Sequence, residues 1–328
     1  MWLAAFLFGG WIMRSAFALI LLMSASIAVL SSASAQRAPT TGSASASATP
    51  PAAAPAPSPA PGLAIPATPP KCTNPNALGV SRTVEVDTAG GPGFGGEHFK
   101  QHDFLRNKEV VLTFDDGPWP TTTAVLKALA DECVRVTFFP IGKHATYYPE
   151  ILKAMYDAGH TIGSHTWSHK NIESIKDPAE QKAEIEKGIS AVSMSAGVPM
   201  APFFRFPALR HPAAMVTYVG ERNLGIFSTD MDSFDFKMRK PEQVVNAVMT
   251  KLEKHGKGIV LLHDFQTATS QAVPDLLAQL KAKGYKIVHM RAKDPVKPLA
   301  EYDEMVKKEQ KLPTVSTRPT SSVIRTVE

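Results

Sequence analysis

The sequence predicts an α/β fold, a distorted (β/α) barrel of about seven strands in which a parallel sheet is surrounded by outer helices. From residue 109 onward, short β-branched or aromatic runs alternate with longer segments of helical periodicity. A strand followed by a helix, repeated six times and closed by a last strand, is typical of a parallel sheet covered by helices. About seven such units favour a barrel over an open sheet, since barrels of this kind reach about 250 residues.

The predicted strands are short, and the predicted helices fill the intervals between them. The strands cover 109–114, 135–139, 160–163, 203–206, 225–229, 258–263 and 285–290. The helices cover 121–132, 146–158, 178–196, 211–222, 241–255 and 271–283. A further strand is predicted at 82–87. The glycine-rich segment 90–96 that follows it predicts a flexible surface loop, because it lacks the spacing of a phosphate-binding or dinucleotide-binding loop.

Residues 1–35 have the pattern of an export signal. Arg14 precedes the apolar run 16–22, and Ala33-Ser34-Ala35 fits an A-x-A cleavage site. Translation from Met13 would give a more typical signal than translation from the first residue. The alternative is an uncleaved anchor, because the stretch is apolar enough to span a bilayer. We therefore expect a periplasmic or extracellular protein, with membrane contact only through an uncleaved N-terminus.

The composition of the remaining chain divides it further. Residues 36–71 are nearly all Ala, Pro, Ser, Thr and Gly. They predict a disordered linker, since such a segment cannot bury enough apolar surface to offset its ordering entropy. Residues 72–108 form an N-terminal extension of a domain at 109–291, and residues 292–328 form a tail that is partly helical and then disordered. The net charge of +5 is modest and not gathered in a basic block, which argues against a nucleic-acid partner.

The chain has two cysteines, Cys72 and Cys133. A small, even number of cysteines in an exported protein is compatible with one disulfide. Two unrelated buried thiols are the alternative. A bond between them would attach the start of the folded region to the core.

Polar side chains gather where the predicted strands end. They are Asp115 and Asp116 after the first strand, His165 and His169 after the third, Arg205 in the fourth, Asp232 and Asp235 after the fifth, and His263 and Asp264 at the end of the sixth. Active sites of barrel enzymes lie on the face formed by the C-terminal ends of the strands. We therefore expect these side chains to form one site.

Two of these pairs predict a metal site. Adjacent carboxylates are costly to bury, but one can bind a metal while the other takes a proton from a group that the metal holds. His165 and His169 are four residues apart, so in a helical turn both would project from one side. Two imidazoles and one carboxylate suit zinc, with cobalt, nickel or iron as alternatives. Alone, each pattern has a plainer interpretation, a turn for Asp-Asp-Gly-Pro and a surface or capping pair for the histidines.

Five ordered motifs resemble those of the polysaccharide deacetylase family, the NodB-homology group of carbohydrate esterases. They are Thr-Phe-Asp-Asp-Gly-Pro at 113–118, His-Thr-x-x-His at 165–169, Arg-Phe-Pro at 205–207, Asp-x-x-Asp at 232–235 and Leu-Leu-His-Asp at 261–264. The resemblance covers about 109–291 and implies a distorted (β/α) barrel. It also implies metal-dependent removal of N-acetyl, or in some members O-acetyl, groups from an acetylated amino-sugar polymer such as peptidoglycan or a related envelope glycan.

The resemblance implies a role for each candidate residue. The implied metal ligands are Asp116, His165 and His169, the general base is Asp115, the general acid is His263, the orienting residues are Arg205 and Asp235 (with Asp232 as the less favoured choice), and the oxyanion donor is the backbone N–H of Ala208. We expect the guanidinium group of Arg205 to keep the pKa of Asp115 low. We also expect a carboxylate behind His263 to favour the charged imidazole.

Two departures from the family pattern affect the expected sugar-binding surface. Ala208-Leu209-Arg210 stands where the family usually has an aromatic residue and then glycine, and Phe236 stands where it usually has tryptophan. These changes leave the substrate open and the chemistry intact. Two alternative functions also remain open, a catalytically retired carbohydrate-binding or scaffold protein and a metal-dependent amidase or peptidase that uses the same site.

Overall fold

A computed structural model describes residues 72–310 of the chain. The predicted export signal with its alternative start at Met13, the linker 36–71 and the part of the tail beyond residue 310 lie outside the described residues. Within 72–310, no helix is both long enough and apolar enough to cross a membrane.

The described residues form ten strands and eight α-helices. The strands are β1 (Arg82–Val86), β2 (Gly93–Phe94), β3 (Glu109–Asp115), β4 (Thr137–Phe139), β5 (Thr161–Ile162), β6 (Phe203–Phe204), β7 (Gly225–Phe227), β8 (Met231–Asp232), β9 (Gly258–His263) and β10 (Lys286–Ala292). The helices are α1 (Thr122–Asp131), α2 (Gly142–Tyr147), α3 (Pro149–Asp157), α4 (Pro178–Ala196), α5 (Ala213–Glu221), α6 (Pro241–His255), α7 (Thr267–Ala282) and α8 (Ala300–Glu309).

Parallel pairing runs around a ring of short strands. β3 pairs with β4 on one edge and with β9 on the other, and β4 pairs with β5. A parallel bridge from Ser164 to Phe204 continues the ring to β6, which pairs with β7. The segment 225–232 holds both β7 and β8, and β8 pairs with β9. The segment 225–232 therefore closes the ring, because it pairs with β6 through β7 and with β9 through β8. The predicted parallel sheet with outer helices is confirmed.

β10 accounts for the distortion of this ring. It pairs with residues Glu109 and Val110 at the start of β3, on the edge that β4 occupies further along. Its other edge pairs with β1, so the predicted strand at 82–87 is present and extends the sheet. The two added strands interrupt the barrel on the side of the N-terminal ends of β3 and β4.

Side chains alternate between the barrel interior and the helices. Val110, Leu112 and Phe114 of β3 pack in the large core with the helices, whereas Val111 packs in a second cluster with residues of the other strands. Successive strand residues point to opposite faces, so Asp115 has the orientation of Val111 and lies at the end of the interior row.

The predicted helix at 146–158 is wrong in its boundaries, because two helices occupy this region. α2 ends at Tyr147 and α3 begins at Pro149, while Tyr148 between them is non-helical at φ −133° and ψ 59°. A residue that precedes proline is disfavoured in the α conformation, which explains the break.

The glycine-rich segment 90–96 is not the flexible surface loop that its composition predicts. It contains β2, which pairs with β7, and Phe94 is buried against Phe227 at a ring separation of 4.8 Å. Gly95 has φ +97°, and a Cβ there would lie 2.5 Å from the backbone nitrogen of Thr229. The glycines therefore allow two backbones to approach closely.

The structure joins Cys72 and Cys133 in a disulfide, with Cα atoms 5.6 Å apart. The bond links the first described residue to the turn that follows α1. It ties the N-terminal extension to the barrel, as the pairing of the two cysteines predicted.

Candidate active site

Asp116 lies just beyond β3 in the left-handed conformation, at φ +74°. Its side chain faces two imidazoles. Oδ1 of Asp116 lies 3.6 Å from Nε2 of His165 and 3.3 Å from Nε2 of His169. The ligand atoms of the three residues all lie within 4.8 Å of one another. The structure thus brings together the three predicted metal ligands.

These three side chains fit a divalent cation. Ligand atoms about 2.1 Å from a tetrahedral ion are about 3.4 Å apart, which agrees with both separations from Oδ1 of Asp116. That oxygen is buried and has no hydrogen-bond partner among the described residues. A bound cation would satisfy this acceptor, which is otherwise costly to bury.

His165 is held in the protonation state that a metal ligand needs. Its Nδ1 lies 2.7 Å from the carbonyl oxygen of Arg205. A carbonyl only accepts, so Nδ1 carries the proton and Nε2 keeps its lone pair on the side of Asp116. Burial, together with the neighbouring His169, holds the pKa of His165 well below its usual range. The imidazole is therefore neutral at neutral pH.

The helical turn expected for 165–169 is wrong. The segment is irregular, and both Thr166 (φ +67°) and His169 (φ +58°) are left-handed. Glu184 of α4 holds the segment by accepting hydrogen bonds from the N–H and the hydroxyl of Ser168, at 2.9 and 2.8 Å. The histidines meet because the loop is folded by tertiary contacts, with ring centroids 4.9 Å apart.

Asp115 and Arg205 form a buried ion pair next to this site. Nη1 of Arg205 donates to Oδ1 of Asp115 at 2.6 Å, and Nη2 donates to the carbonyl of Ser228 at 2.8 Å. The guanidinium group is completely buried and lies 4.4 Å from the ring centroid of Phe139. Oδ2 of Asp115 lies 3.9 Å from Nε2 of His165. One oxygen of the carboxylate is thus fixed while the other borders the predicted metal ligands.

The protonation of Asp115 differs from the sequence-based expectation. Burial raises the pKa of Asp115 to about 6, against the opposing charge of Arg205. The expectation of a low pKa for Asp115 is therefore wrong when only the protein's own side chains act on it, because desolvation outweighs the guanidinium charge. A cation bound to Asp116 would lower the pKa of Asp115, whereas burial raises it.

His263 ends β9, and its Nε2 lies 4.0 Å from Oδ2 of Asp116. Nδ1 of His263 donates to Oδ1 of Asp235 at 2.6 Å, and the backbone N–H of His263 donates to Oδ2 at 2.8 Å. Burial alone would lower the pKa of His263, but the bond to Asp235 and the charges of Asp235, Asp116 and Asp115 together outweigh it, and the pKa rises to about 9. The imidazole is therefore charged at neutral pH.

Asp232 has a different environment from Asp235. It lies on β8, and its Oδ1 accepts the backbone N–H of Phe234 at 2.8 Å. Of the two carboxylates that the sequence offered, Asp235 is the one that contacts His263.

Ala208 lies in a short 3-10 turn after β6, in the left-handed conformation at φ +52°. The residue is exposed. Among the described residues, no hydrogen bond uses its backbone N–H. The amide is thus free to donate to another group.

Two residues that support the site, His144 and Glu184, were not expected from the sequence, and a third, Asp264, was expected there but without a role. Asp264 accepts hydrogen bonds from the N–H of Gly117 at 3.0 Å and from the hydroxyl of Thr122 at 2.5 Å, which ties the loop after β3 to β9. Nδ1 of His144 donates to the carbonyl of Asp116 at 2.6 Å. Glu184 holds the histidine loop as described above. The position of Asp264 directly after His263 was a usable signal, whereas nothing in the local sequence distinguishes the other two.

Aromatic side chains border the site near His263. Phe234 and Phe236 are 42% and 44% exposed, high values for rings of this size. The ring of Phe236 lies edge-on to His263, with centroids 5.5 Å apart. An apolar surface of this kind beside a polar site can contact a substrate.

Comparisons with known proteins agree with this geometry. Residues 104–225 match the family described as polysaccharide deacetylase. Chitin deacetylase 1 of Saccharomyces cerevisiae is 35% identical over 162 residues, which cover 48% of this chain and 52% of the relative. The peptidoglycan-N-acetylglucosamine deacetylase PgdA of Listeria monocytogenes is 32% identical over 186 residues, which cover 56% of this chain and 38% of the relative. The chain therefore spans about half or less of the length of these relatives.

A solved structure gives the same result. The Bdellovibrio bacteriovorus peptidoglycan deacetylase Bd3279 superposes with a TM-score of 0.60 at 31% identity, covering 69% of this chain and 63% of that one. The family match ends at residue 225, so Asp235 and His263 lie beyond it, in the 3-10 turn after β8 and at the end of β9. Sequence match and structural likeness together confirm the resemblance that the five motifs predicted, and the chain carries a domain of the polysaccharide deacetylase family.

Proposed function

We propose that this protein is a metal-dependent hydrolase that removes N-acetyl groups from an amino-sugar polysaccharide, with peptidoglycan or a related envelope glycan as the leading substrate. O-acetyl groups are the alternative bond. One observation carries the proposal. A carboxylate, Asp115, and a charged imidazole, His263, both border a three-ligand cluster centred on Asp116.

Asp116, His165 and His169 would hold the cation. Two imidazole nitrogens and one carboxylate oxygen favour zinc, and cobalt, nickel and iron are compatible with the same donors. When bound, a divalent cation lowers the pKa of a water ligand and polarises a carbonyl group.

Asp115 would act as the general base. Its Oδ1 is held by Arg205, which leaves Oδ2 to take a proton from the attacking water. The pKa of about 6 that burial gives this carboxylate leaves it ionised at neutral pH, and a cation on Asp116 would lower that pKa further. Arg205 would fix the orientation of the base through its additional bonds to the backbone.

His263 would act as the general acid. Its Nδ1–H is held by Asp235, so Nε2–H is the proton that it can transfer. Breaking the C–N bond of an acetamide requires this proton on the departing nitrogen, because an amide anion is a very poor leaving group. The products are acetate and a free amino group on the sugar. The free backbone N–H of Ala208 would stabilise the oxyanion, and one such donor is typically worth about 3 kcal/mol.

The substrate class rests on the relatives and on the borders of the site. The relatives are named for chitin and for peptidoglycan, both polymers of acetylated amino sugars. The exposed rings of Phe234 and Phe236 offer an apolar face next to His263 on which a sugar ring can pack. We also propose that the protein is exported, which agrees with the disulfide between Cys72 and Cys133.

Acetate release from acetylated chitooligosaccharides and from peptidoglycan fragments tests the proposal, with and without a chelator and with metal content measured in parallel. We expect release that stops with chelator and returns with zinc. Short peptides serve as the second substrate set. Cleavage of peptides instead of acetamides would identify a peptidase, and glycan binding without release would identify a retired binding protein.

A further inference from the structure

A second group of ionisable side chains lies at the other end of the barrel from the candidate active site. Arg135 lies two residues before β4, and His160 directly precedes β5, so both lie at the N-terminal ends of the strands. They line a cavity of about 130 Å³ together with His289 and Arg291 of β10. Pockets for larger organic ligands begin at about 300 Å³, so this cavity suits a small ligand.

Positive charge in this cavity lacks a compensating partner. Burial lowers the pKa of Arg135, and the charge of Arg291 lowers it further. Nε of Arg135 is buried without a hydrogen-bond partner, and neither arginine forms an ion pair with a described carboxylate. Partial burial of an unpaired guanidinium group is costly. A compact anion would remove this cost.

The acidic groups in the surroundings do not supply that partner. Asp294 lines the mouth of the cavity. Glu85 is the neighbour of Arg291 in the β1–β10 register but is exposed. Asp157 is paired with Lys153. None of the three lies within ion-pair distance of Arg135 in the described part of the chain.

The two histidines are neutral, and one of them offers a donor. Burial lowers the pKa of both His160 and His289 to about 3. Nδ1 of His160 accepts the backbone N–H of Val136 at 3.2 Å, so the proton of the neutral ring is on Nε2. The hydroxyl of Thr161 donates to the carbonyl of Met290 at 2.5 Å and therefore accepts from His289, 3.0 Å away. The ring N–H of His160 remains available.

We propose that this cavity, lined by Arg135, His160 and Arg291, is a binding site for a compact oxyanion, either a phosphate group or a carboxylate. A guanidinium group binds both through paired N–H donors, and the N–H of His160 adds a neutral donor. The site is separate from the proposed chemistry, so it stands or falls independently of the deacetylase activity.

The test uses the full chain in its metal-loaded form, titrated with inorganic phosphate in one arm and acetate in the other, at constant ionic strength with chloride as the reference. The readout is the ¹⁵N-edited NMR signal of the Arg135 Nε–H, together with calorimetry. We expect a saturable shift of this signal with at least one of the two anions. Arg135→Gln and Arg291→Gln should each weaken the calorimetric affinity roughly tenfold.

Lys286→Gln is the matched control, because it removes the same charge from an exposed position of β10 that is remote from the cavity lining. It should leave the affinity unchanged. Loss of binding to the same degree in Lys286→Gln would show general charge screening and overturn the proposal, as would the absence of a saturable shift with both anions. Should Arg135→Gln fail to fold, the exposed Arg291→Gln decides the outcome. Any anion bound at the metal site leaves the Arg135 signal unmoved.

Discussion

Replacing Asp235 with asparagine tests the proposed acid directly. The pKa of His263 is about 9 although burial alone would lower it, and the bond from Asp235 is the largest influence that raises it. Asparagine keeps the shape of the side chain and removes its charge. The rise from 6.5 to about 9 corresponds to about 3 kcal/mol in favour of the charged imidazole. Burial lowers this pKa while Asp116 and Asp115 also raise it, so the figure is the net effect of the surroundings of His263 and not the share of Asp235 alone.

The pH dependence of acetate release is the assay. With a pKa of about 9, about nine-tenths of the His263 side chains are protonated at pH 8, and with a pKa at or below 6.5 the fraction is about one in thirty. We therefore expect Asp235→Asn to move the basic limb of the profile from about pH 9 to pH 6.5 or below, with a loss of about 30-fold or more at pH 8. Activity should recover partly as the pH is lowered.

Asp232→Asn is the control, because Asp232 lies three residues away and contacts Phe234 instead of His263. Its basic limb should stay near that of the wild type. An unchanged basic limb in Asp235→Asn would refute the reasoning, since the acid would then be another group. The reasoning would also fail if the two variants shifted equally.

Asp235→Asn should also change how the free energy of unfolding depends on pH. A folded pKa above the ordinary value means that folding favours the protonated imidazole, so the stabilisation is complete below pH 6.5 and is lost as the pH rises through about 9. The difference in unfolding free energy between wild type and Asp235→Asn should therefore be larger at pH 6 than at pH 9.5. Denaturant titrations at both pH values measure it.

Three further substitutions probe the rest of the site. Asp115→Asn should reduce acetate release by about 10²- to 10⁴-fold with metal content unchanged, and equal loss of metal would reverse the assignment of the two carboxylates. Arg205→Lys keeps the charge but cannot reproduce the bonds to Asp115 and two backbone carbonyls, so we expect about 2–3 kcal/mol of destabilisation by denaturant titration and a lower kcat. Val306→Ala removes part of the contact between α8 and Trp167, and Trp167 lies in the loop between the two histidine ligands. We expect zinc affinity to fall roughly tenfold in a chelator competition. An unchanged affinity would show that α8 does not support the loop.

Much of the site could be predicted because strand residues alternate in direction. Asp115 follows Val111 at an even spacing and His263 follows Ile259 at an even spacing, and both apolar residues pack in the interior cluster. Parallel strands bring their C-terminal ends to one face. Recognising β3 and β9 as neighbouring parallel strands therefore places both side chains at the same end of the barrel, and the register pairs Asp115 with His263.

The histidine loop could not be predicted in the same way. A spacing of four residues suggests a helical turn, but the left-handed Thr166 and His169 give another path that depends on Glu184 of a distant helix. The prediction of a flexible loop for the glycine-rich segment 90–96 was wrong for a related reason. Gly95 allows close contact with the backbone of Thr229, and such a contact cannot be recognised until the strands are placed. Local patterns predict elements whose conformation is set locally, and these two segments are set by tertiary contacts.

The two imidazoles of the site differ in charge because their Nδ1 atoms face different acceptors. Burial disfavours the cation in both, yet His165 stays neutral and His263 stays charged. Nδ1 of His165 donates to a carbonyl, which fixes the tautomer and adds no charge, whereas Nδ1 of His263 donates to the carboxylate of Asp235, which supplies a full charge at 2.6 Å. A metal ligand needs a lone pair and a general acid needs a proton. The same side chain can therefore serve either purpose within one cleft, and the acceptor behind each ring determines which.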